Sequence, residues 1–303
     1  MSVCSRVVVV TGANKGVGHA LVQAVLDRDS SAFVFLGSRD VKRGESAKAA
    51  IEKHADRVHV LQLDISDAMS IVKAVDEVKR TCETNTRICA ANAEKPMYAL
   101  VNNCGVFLDD DYEQTLNVNV LDTHNVTEAF LPLVGSRVVF VSSASGPMYV
   151  NNLSKKGQAI FTSKDKSWED IEEIIAIVKK NKGVLESGSN AIPDHLEGIT
   201  ASSSQWYGLS KACVNLYNMH LARTHPSLKV HAYTPGWVAT DMTLTKFGKR
   251  DGMITPQKAA ITGLKMLYEE LPGNGRFYGS DGVRSPLDAY RNPGDDPYVS
   301  DSE

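Results

Sequence analysis

The chain has 303 residues, 43% of them hydrophobic and 23% charged, with a formal net charge of −3. That balance fits a globular domain with a sizeable core and excludes a dense basic surface for a polyanion such as a nucleic acid. No run approaches the roughly 18 apolar residues of a membrane span.

The five cysteines, Cys4, Cys82, Cys89, Cys104 and Cys213, are odd in number and contain no C-x-x-C pair. Neither a disulfide framework nor a zinc site is indicated, and no metal is expected. In chain order, residues 7–10 (VVVV) form an apolar run too short for a signal-peptide core, read as a buried strand. With no export signal visible, the cytoplasm is the expected location. A glycine loop follows at residues 11–18, then a helix with apolar positions at residues 20–26.

Residues 33–36 predict a second strand and residues 43–54 a helix. A third strand at residues 58–63 ends at Asp64, and Ser66 is a candidate cap for a helix carrying Ile71, Val72, Val75 and Val78. Residues 82–96 are polar and irregular. Strands four to six are read at residues 98–101, 137–141 and 228–233, and a seventh near residues 275–278. Residues 146–203 form an insertion with one clear helix, capped by Ser167 or Asp165, whose Trp168, Ile171, Ile174, Ile175 and Val178 share a face.

Short apolar strands alternating with helices imply a parallel sheet covered on both faces. The predicted fold is α/β, a Rossmann-like doubly wound parallel sheet of about seven strands with a helical insertion. A single dinucleotide-binding catalytic domain spans residues 1–283, and a polar tail at residues 284–303 is expected to be at least partly mobile. Ligands of such sheets bind beyond the carboxyl ends of the strands. Gly12, Arg39, Asp64, Asn103, Ser143 and Pro235 all fall at those ends.

The loop Thr11-Gly12-Ala13-Asn14-Lys15-Gly16-Val17-Gly18 joins the first strand to the first helix. Glycines there permit a tight turn and close approach of a phosphate, and the helix N-terminus offers N–H donors. This placement favours dinucleotide binding. An acidic residue about twenty positions further on would bind a ribose diol, as in NAD sites. Arg39 stands there instead, followed by Asp40. With Lys15 it suits a 2′-phosphate, so NADP(H) is the expected cofactor. Asp40 is either a helix cap or a diol acceptor.

Tyr207 and Lys211 are four residues apart, on one face of a helix. A phenol beside an ammonium is a candidate proton donor to a developing alkoxide, with a pKa lowered by the neighbouring charge.

The glycine pattern T-G-x-x-x-G-x-G resembles that of the short-chain dehydrogenase/reductases, and the resemblance extends over roughly residues 5–280. Asp64 and Ile65 resemble the segment bordering the adenine. Asn102-Asn103-Cys104-Gly105 is similar to the N-N-A-G motif, with Cys104 in place of alanine. Asn119 matches the helix asparagine of the family's catalytic tetrad, with Asn117 a nearby competitor. Ser143 matches the catalytic serine, and Tyr207 and Lys211 complete the set. Residues 235–242 (PGWVATDM) resemble the loop beside the nicotinamide, which brings in Pro235, Gly236, Val238 and Thr240.

The resemblance implies that Ser143 binds the substrate oxygen and Tyr207 supplies a proton as hydride arrives. Lys211 would hold the ribose and Asn119 a water. Ser143 and Tyr207 lie 64 positions apart, much further than in a minimal member. That gap makes the chain look like the monomeric NADPH-dependent carbonyl reductases, which reduce aldehydes, ketones and quinones. An extra helix covering the surface used for assembly in related oligomers predicts a monomer.

Met148, Trp206 and Trp237 are candidates for substrate contact beside Ser143. Two rivals stand beside this reading. One is a non-catalytic NADP(H)-binding regulator on the same fold. The other is an extended-type enzyme acting on sugar nucleotides, whose T-G-x-x-G-x-x-G pattern Gly12, Gly16 and Gly18 do not match.

Overall fold

The computed structural model describes residues 4–88, 93–108, 111–181 and 203–299. Seven parallel strands form one sheet in the order β3-β2-β1-β4-β5-β6-β7. They are β1 (Arg6–Val10), β2 (Ala32–Ser38), β3 (Val58–Gln62), β4 (Met97–Asn102), β5 (Val134–Val141), β6 (Lys229–Tyr233) and β7 (Arg276–Tyr278). The chain order reverses between β1 and β4, which opens a crevice at their carboxyl ends.

The helices are α1 (Gly16–Arg28), α2 (Val41–Ala49), α3 (Ala68–Thr84), α4 (Tyr112–Leu116), α5 (Thr123–Phe130), α6 (Ser145–Asn151), α7 (Lys155–Thr162), α8 (Trp168–Lys180), α9 (Ser203–Thr224), α10 (Asp241–Phe247) and α11 (Pro256–Tyr268). Side chains alternate across a strand, so β1 feeds both layers. Val7 and Val9 join Phe33, Phe35, Leu100 and Phe140 in a core with α3, α5, α8 and α9. Val8 and Val10 join Val34, Leu36 and Val101 under α1 and α11. β1 and β2 are therefore buried on both faces, as their unbroken apolar runs require.

Three local expectations change. Asp67, not Ser66, caps α3, accepting a hydrogen bond from Met69 N at 2.9 Å; Ser66 instead donates to the Asp64 carboxylate at 2.7 Å. The helix expected at residues 43–54 begins earlier, where Asp40 caps it, and ends at Ala49. A 3-10 turn, Glu52–Arg57, follows because the Arg57 guanidinium is drawn inward to the carbonyls of Leu26, Asp29 and Ala32.

The insertion helix α8 forms as read. Ser167 is its cap and shares a reciprocal capping box with Asp170. Its apolar face is buried through Ile171, Ile174, Ile175 and Val178. The remainder of the insertion, residues 182–202, and residues 89–92 of the irregular segment lie outside the described residues.

The described residues of the tail, which is expected to be partly mobile, make several polar contacts. Ser285 N donates to Phe277 O, Tyr298 N donates to Arg284 O, and Arg291 pairs with Asp281. Among the described residues no helix is long and apolar enough to cross a membrane.

Candidate active site

The glycine loop is built for close approach. Gly12 has a φ of 59°, and a Cβ there would sit 2.7 Å from Cys104 Sγ. A Cβ on Gly18 would fall 2.4 Å from Asn103 Nδ2. Asn103 pins the loop by donating to the carbonyls of Thr11 and Gly12 at 2.9 and 3.0 Å, while Thr11 Oγ1 accepts from Asn103 N and Cys104 N.

The N-cap of α1 is Lys15, which makes no side-chain cap. Asp40, Asp67, Ser167 and Thr255 do cap their helices. The first amides of α1, at Gly16, Val17 and Gly18, are therefore left to bind an anion, and the loop fits a pyrophosphate.

At the end of β2, Arg39 is exposed and lines a shallow cleft with Asp40, Lys42, Gln62 and Asp64. Asp40 is committed to the backbone: it accepts from Arg43 N at 2.9 Å, which holds its carboxyl below the usual range. That leaves the helix-cap role in place of the diol acceptor. Ile65, next to Asp64, is buried. A neighbouring cleft of about 730 Å³ is lined by Asn14, Lys15, Lys42 and Arg43, with Asp241 opposite. Four cationic side chains, Arg39, Lys42, Arg43 and Lys15, thus border the region where a 2′-phosphate would lie. Lys42 and Arg43 were not singled out from sequence, although they extend the charge run begun at Arg39.

Ser143, Tyr207, Lys211 and Asn119 come from three elements, with Tyr207 and Lys211 both on α9, and meet at the carboxyl ends of β4 and β5. Ser143 follows β5; its Oγ accepts from Ser145 N at 3.1 Å, and its hydroxyl lowers the Tyr207 phenol against the effect of burial. Lys211 Nζ donates to Val141 O at 3.1 Å and sits 5.6 Å from the Tyr207 ring centroid. A Cβ on Gly105 would lie 3.4 Å from Lys211 Nζ and 3.3 Å from Asn119 Oδ1, so both groups close on that glycine.

Asn119 lies in a π-helical turn, Asn117–Asp122, and is almost fully buried. π-turns often mark functional positions. Its amide spans Val106 N, Val106 O and Ser210 Oγ at 2.8–2.9 Å. Asn117 faces away and accepts from Lys179 Nζ at 2.7 Å. The geometry therefore separates the two asparagines, with Asn119 at the cluster.

Burial pushes the Tyr207 phenol up to about 12, opposed by the Ser143 hydrogen bond. Burial pulls Lys211 down to about 8. The expected lowering of the tyrosine by its neighbour is not found, because desolvation outweighs a cation held beside the ring rather than at the hydroxyl. At neutral pH the phenol keeps its proton.

The loop after β6 closes the site. Gly236 has a φ of 87°, Val238 is buried, and Thr240 Cγ2 lies 3.3 Å from a Cβ built on Gly16. Pro235 and Gly236 thus lead the chain from the sheet to the glycine loop. Trp237 and Met148 are exposed, with Met242, Leu244 and Phe247 of α10 also partly exposed. Trp206 is different: it is buried and packs on Tyr112 with centroids 4.9 Å apart. Its indole is used in the core, which leaves Met148 and Trp237 as the exposed pair among the three candidates.

Phe107, absent from the sequence reading, stacks on Tyr207 at 4.4 Å and 17°. Only its position two residues after Gly105 could have drawn attention to it.

The short chain dehydrogenase family profile matches residues 6–163. The chain is 31% identical to carbonyl reductase (NADPH) 3 of Rattus norvegicus over 279 residues, covering 86% of this chain and 92% of that one. It is 26% identical to (+)-neomenthol dehydrogenase of Arabidopsis thaliana, covering 90% and 95% respectively. Among solved structures, salutaridine reductase from Papaver somniferum is similar with a TM-score of 0.73 at 25% identity, covering 90% of this chain and 99% of that one.

Proposed function

The chain belongs to the short chain dehydrogenase family, and on that premise we propose that it is an NADPH-dependent oxidoreductase reducing the carbonyl groups of aldehydes, ketones and quinones to alcohols. The observation that carries this reading is the Ser143–Tyr207–Lys211–Asn119 cluster, with a protonated phenol at neutral pH, beside an uncapped helix N-terminus.

NADP(H) is the cofactor that fits. Lys15, Arg39, Lys42 and Arg43 supply cations for a 2′-phosphate, and Asp40 is occupied as a cap. The relative from Rattus norvegicus is named for NADPH. The amides of Gly16, Val17 and Gly18 would hold the pyrophosphate, and Asp64 and Ile65 would border the adenine. Asn103, Gly105, Pro235, Gly236, Val238 and Thr240 line the path toward the nicotinamide. When bound, the reduced nicotinamide supplies the hydride that adds to the carbonyl carbon.

Ser143 donates a hydrogen bond to the carbonyl oxygen and holds it at Tyr207. Tyr207 passes its proton to that oxygen as charge develops there, which neutralises the alkoxide. Lys211, anchored by Val141 O, places its ammonium beside the phenol and the ribose hydroxyls. Asn119, fixed by Val106 and Ser210, positions a water through which solvent returns a proton, by way of Lys211, to the phenolate left on Tyr207.

A monomer is part of the same proposal. The α8 helix covers the faces of α5 and α9: Trp168 stacks on His124 at 3.5 Å and meets the Tyr217 edge at 5.3 Å.

NADPH oxidation by the purified protein, measured against a panel of aldehydes, ketones and quinones, tests the reading. We expect turnover, and Tyr207→Phe should lower kcat by about 10²–10⁴-fold while NADPH still binds. A wild-type protein that binds NADPH and turns over no member of the panel would be a regulator instead.

A further inference from the structure

Among the described residues, the densest attachment of the C-terminal tail to the body is at Arg291. Arg291 Nη2 reaches both Asp281 carboxylate oxygens at 2.5 Å, and its Nε donates to Ser285 Oγ at 3.1 Å. Its Nη1 donates to the carbonyls of Asn292 and Asp295 at 3.1 and 2.6 Å. The Arg291 side chain is only 6% exposed. Asp281 also accepts from Gly294 N and Val283 N at 3.0 and 3.1 Å. One guanidinium nitrogen on both carboxylate oxygens, with Nε and Nη1 held by other acceptors, fixes direction as well as distance.

What Asp281 holds is a short loop between β7 and the tail. Gly279 N donates to Val283 O at 2.8 Å, and a Cβ on Gly279 would meet Asp281, Arg291 and Ser285 within 3.0 Å. Inside this loop, Ser280 backs onto the segment that closes the active site. A Cβ on Gly236 would lie 3.0 Å from Ser280 Cβ, and Thr262 Oγ1 fixes Ser280 O at 2.6 Å. Gly236 in turn opens the run to Thr240, which meets Gly16.

We propose that Arg291 is a positioning residue: through Asp281 and Ser280 it braces residues 235–240, so the tail sets the geometry of the nicotinamide side of the site. The proposal rests on the cofactor reading above. It also explains why a polar, aspartate- and proline-rich tail is tied to the body at all.

The test is hydrogen exchange on full-length protein, with steady-state kinetics run in parallel on wild type, Arg291→Ala, Arg291→Lys and a chain ending at Val283. We expect Arg291→Ala and the shortened chain to raise exchange of residues 279–283 and 235–240 by about tenfold or more, with α1 and β1 unchanged. The KM for NADPH should rise more than kcat falls, and Arg291→Lys should recover part of the loss because it keeps the charge without the fork. Loosening confined to residues 279–299, with residues 235–240 and the NADPH KM unchanged, overturns the proposal. If the wild type turns over no carbonyl, the functional reading fails, while the exchange pattern still decides whether the brace exists.

Discussion

Lys15 and Asp241, 226 positions apart in sequence, meet at 2.7 Å from Nζ to Oδ2 and tie the glycine loop to the first residue of α10. Both side chains are mostly exposed, at 61% and 71%, so the pair is easily exchanged for a stronger partner. Exposed ion pairs contribute only about 0–1 kcal/mol. A 2′-phosphate offers Lys15 more negative charge and several acceptors than one carboxylate does.

The competition between carboxylate and phosphate yields a signed prediction. Asp241→Asn removes the competing carboxylate, and the NADPH Kd should fall by about two- to fivefold. Lys15→Ala should raise it by about tenfold or more. NADH, which lacks the phosphate, should respond to neither. Fluorescence titration of both cofactors checks this; equal shifts for NADH and NADPH would show that Lys15 does not read the 2′-phosphate.

Lys211 predicts a pH dependence. In the cofactor-free protein its ammonium is pulled down to about 8 by burial. An anionic cofactor favours the charged form, so the pKa rises on binding. Binding therefore takes up a proton once the pH exceeds about 8. The affinity should be constant below that value and weaken above it, until the raised pKa of the complex is passed. NADPH titrations between neutrality and pH 10 should show the decline, and Lys211→Met should flatten it. A wild-type affinity that stays constant across this range would contradict the assignment.

Much of this architecture is legible from local chemistry. The valine runs of β1 and the glycines of residues 11–18 encode a buried strand feeding a helix N-terminus, and both are local signals. The capping box of α8 is likewise written in Ser167 and Asp170. What escapes a linear reading depends on distance. Phe107 and Tyr207 are 100 positions apart in sequence, and no periodicity announces that their rings stack. The pull of Lys211 on Tyr207 was read from helical spacing alone. Spacing gives adjacency but not the desolvation that outweighs it. The tail reads as loose by composition, and only the fold supplies Asp281 as the partner for Arg291.

The insertion helix makes a prediction about stability and assembly. Ile175 is 2% exposed on the buried face of α8. Ile175→Ala should cost about 2–5 kcal/mol through lost burial and the cavity left behind. The melting temperature should drop accordingly, while kcat at 25 °C changes little, because α8 carries no member of the Ser143–Tyr207–Lys211–Asn119 cluster. If α8 caps the surface of α5 and α9, the wild type should sediment as a monomer. A stable dimer that Trp168→Ala dissociates would show instead that α8 is an interface.

Phe107 carries the last prediction. One face of its ring lies on Tyr207 at 4.4 Å, and Lys246 Nζ sits 3.4 Å from the same centroid. A parallel ring and an ammonium this close cannot share a face, so the phenyl ring is held between them. Phe247 of α10 approaches as well, at 6.1 Å. The ring therefore fixes the plane of the Tyr207 phenol and links it to the helix that carries the apolar rim of the cleft. A stacked aromatic pair is worth about 0.5–1.5 kcal/mol beyond its area.

Phe107→Leu keeps most of the volume and loses the stack. It should lower kcat by about two- to tenfold, since a looser phenol spends less time aligned with the carbonyl oxygen. The NADPH Kd should not change. Phe107→Ala also opens space at the phenol, so the ratio of kcat/KM for a bulky aryl ketone to that for a small aliphatic aldehyde should rise. Measuring that ratio within one preparation cancels any difference in the folded fraction. If it stays constant in both variants and kcat is unaffected, Phe107 merely fills space, and the orientation of Tyr207 is set by Ser143 and the α9 backbone alone.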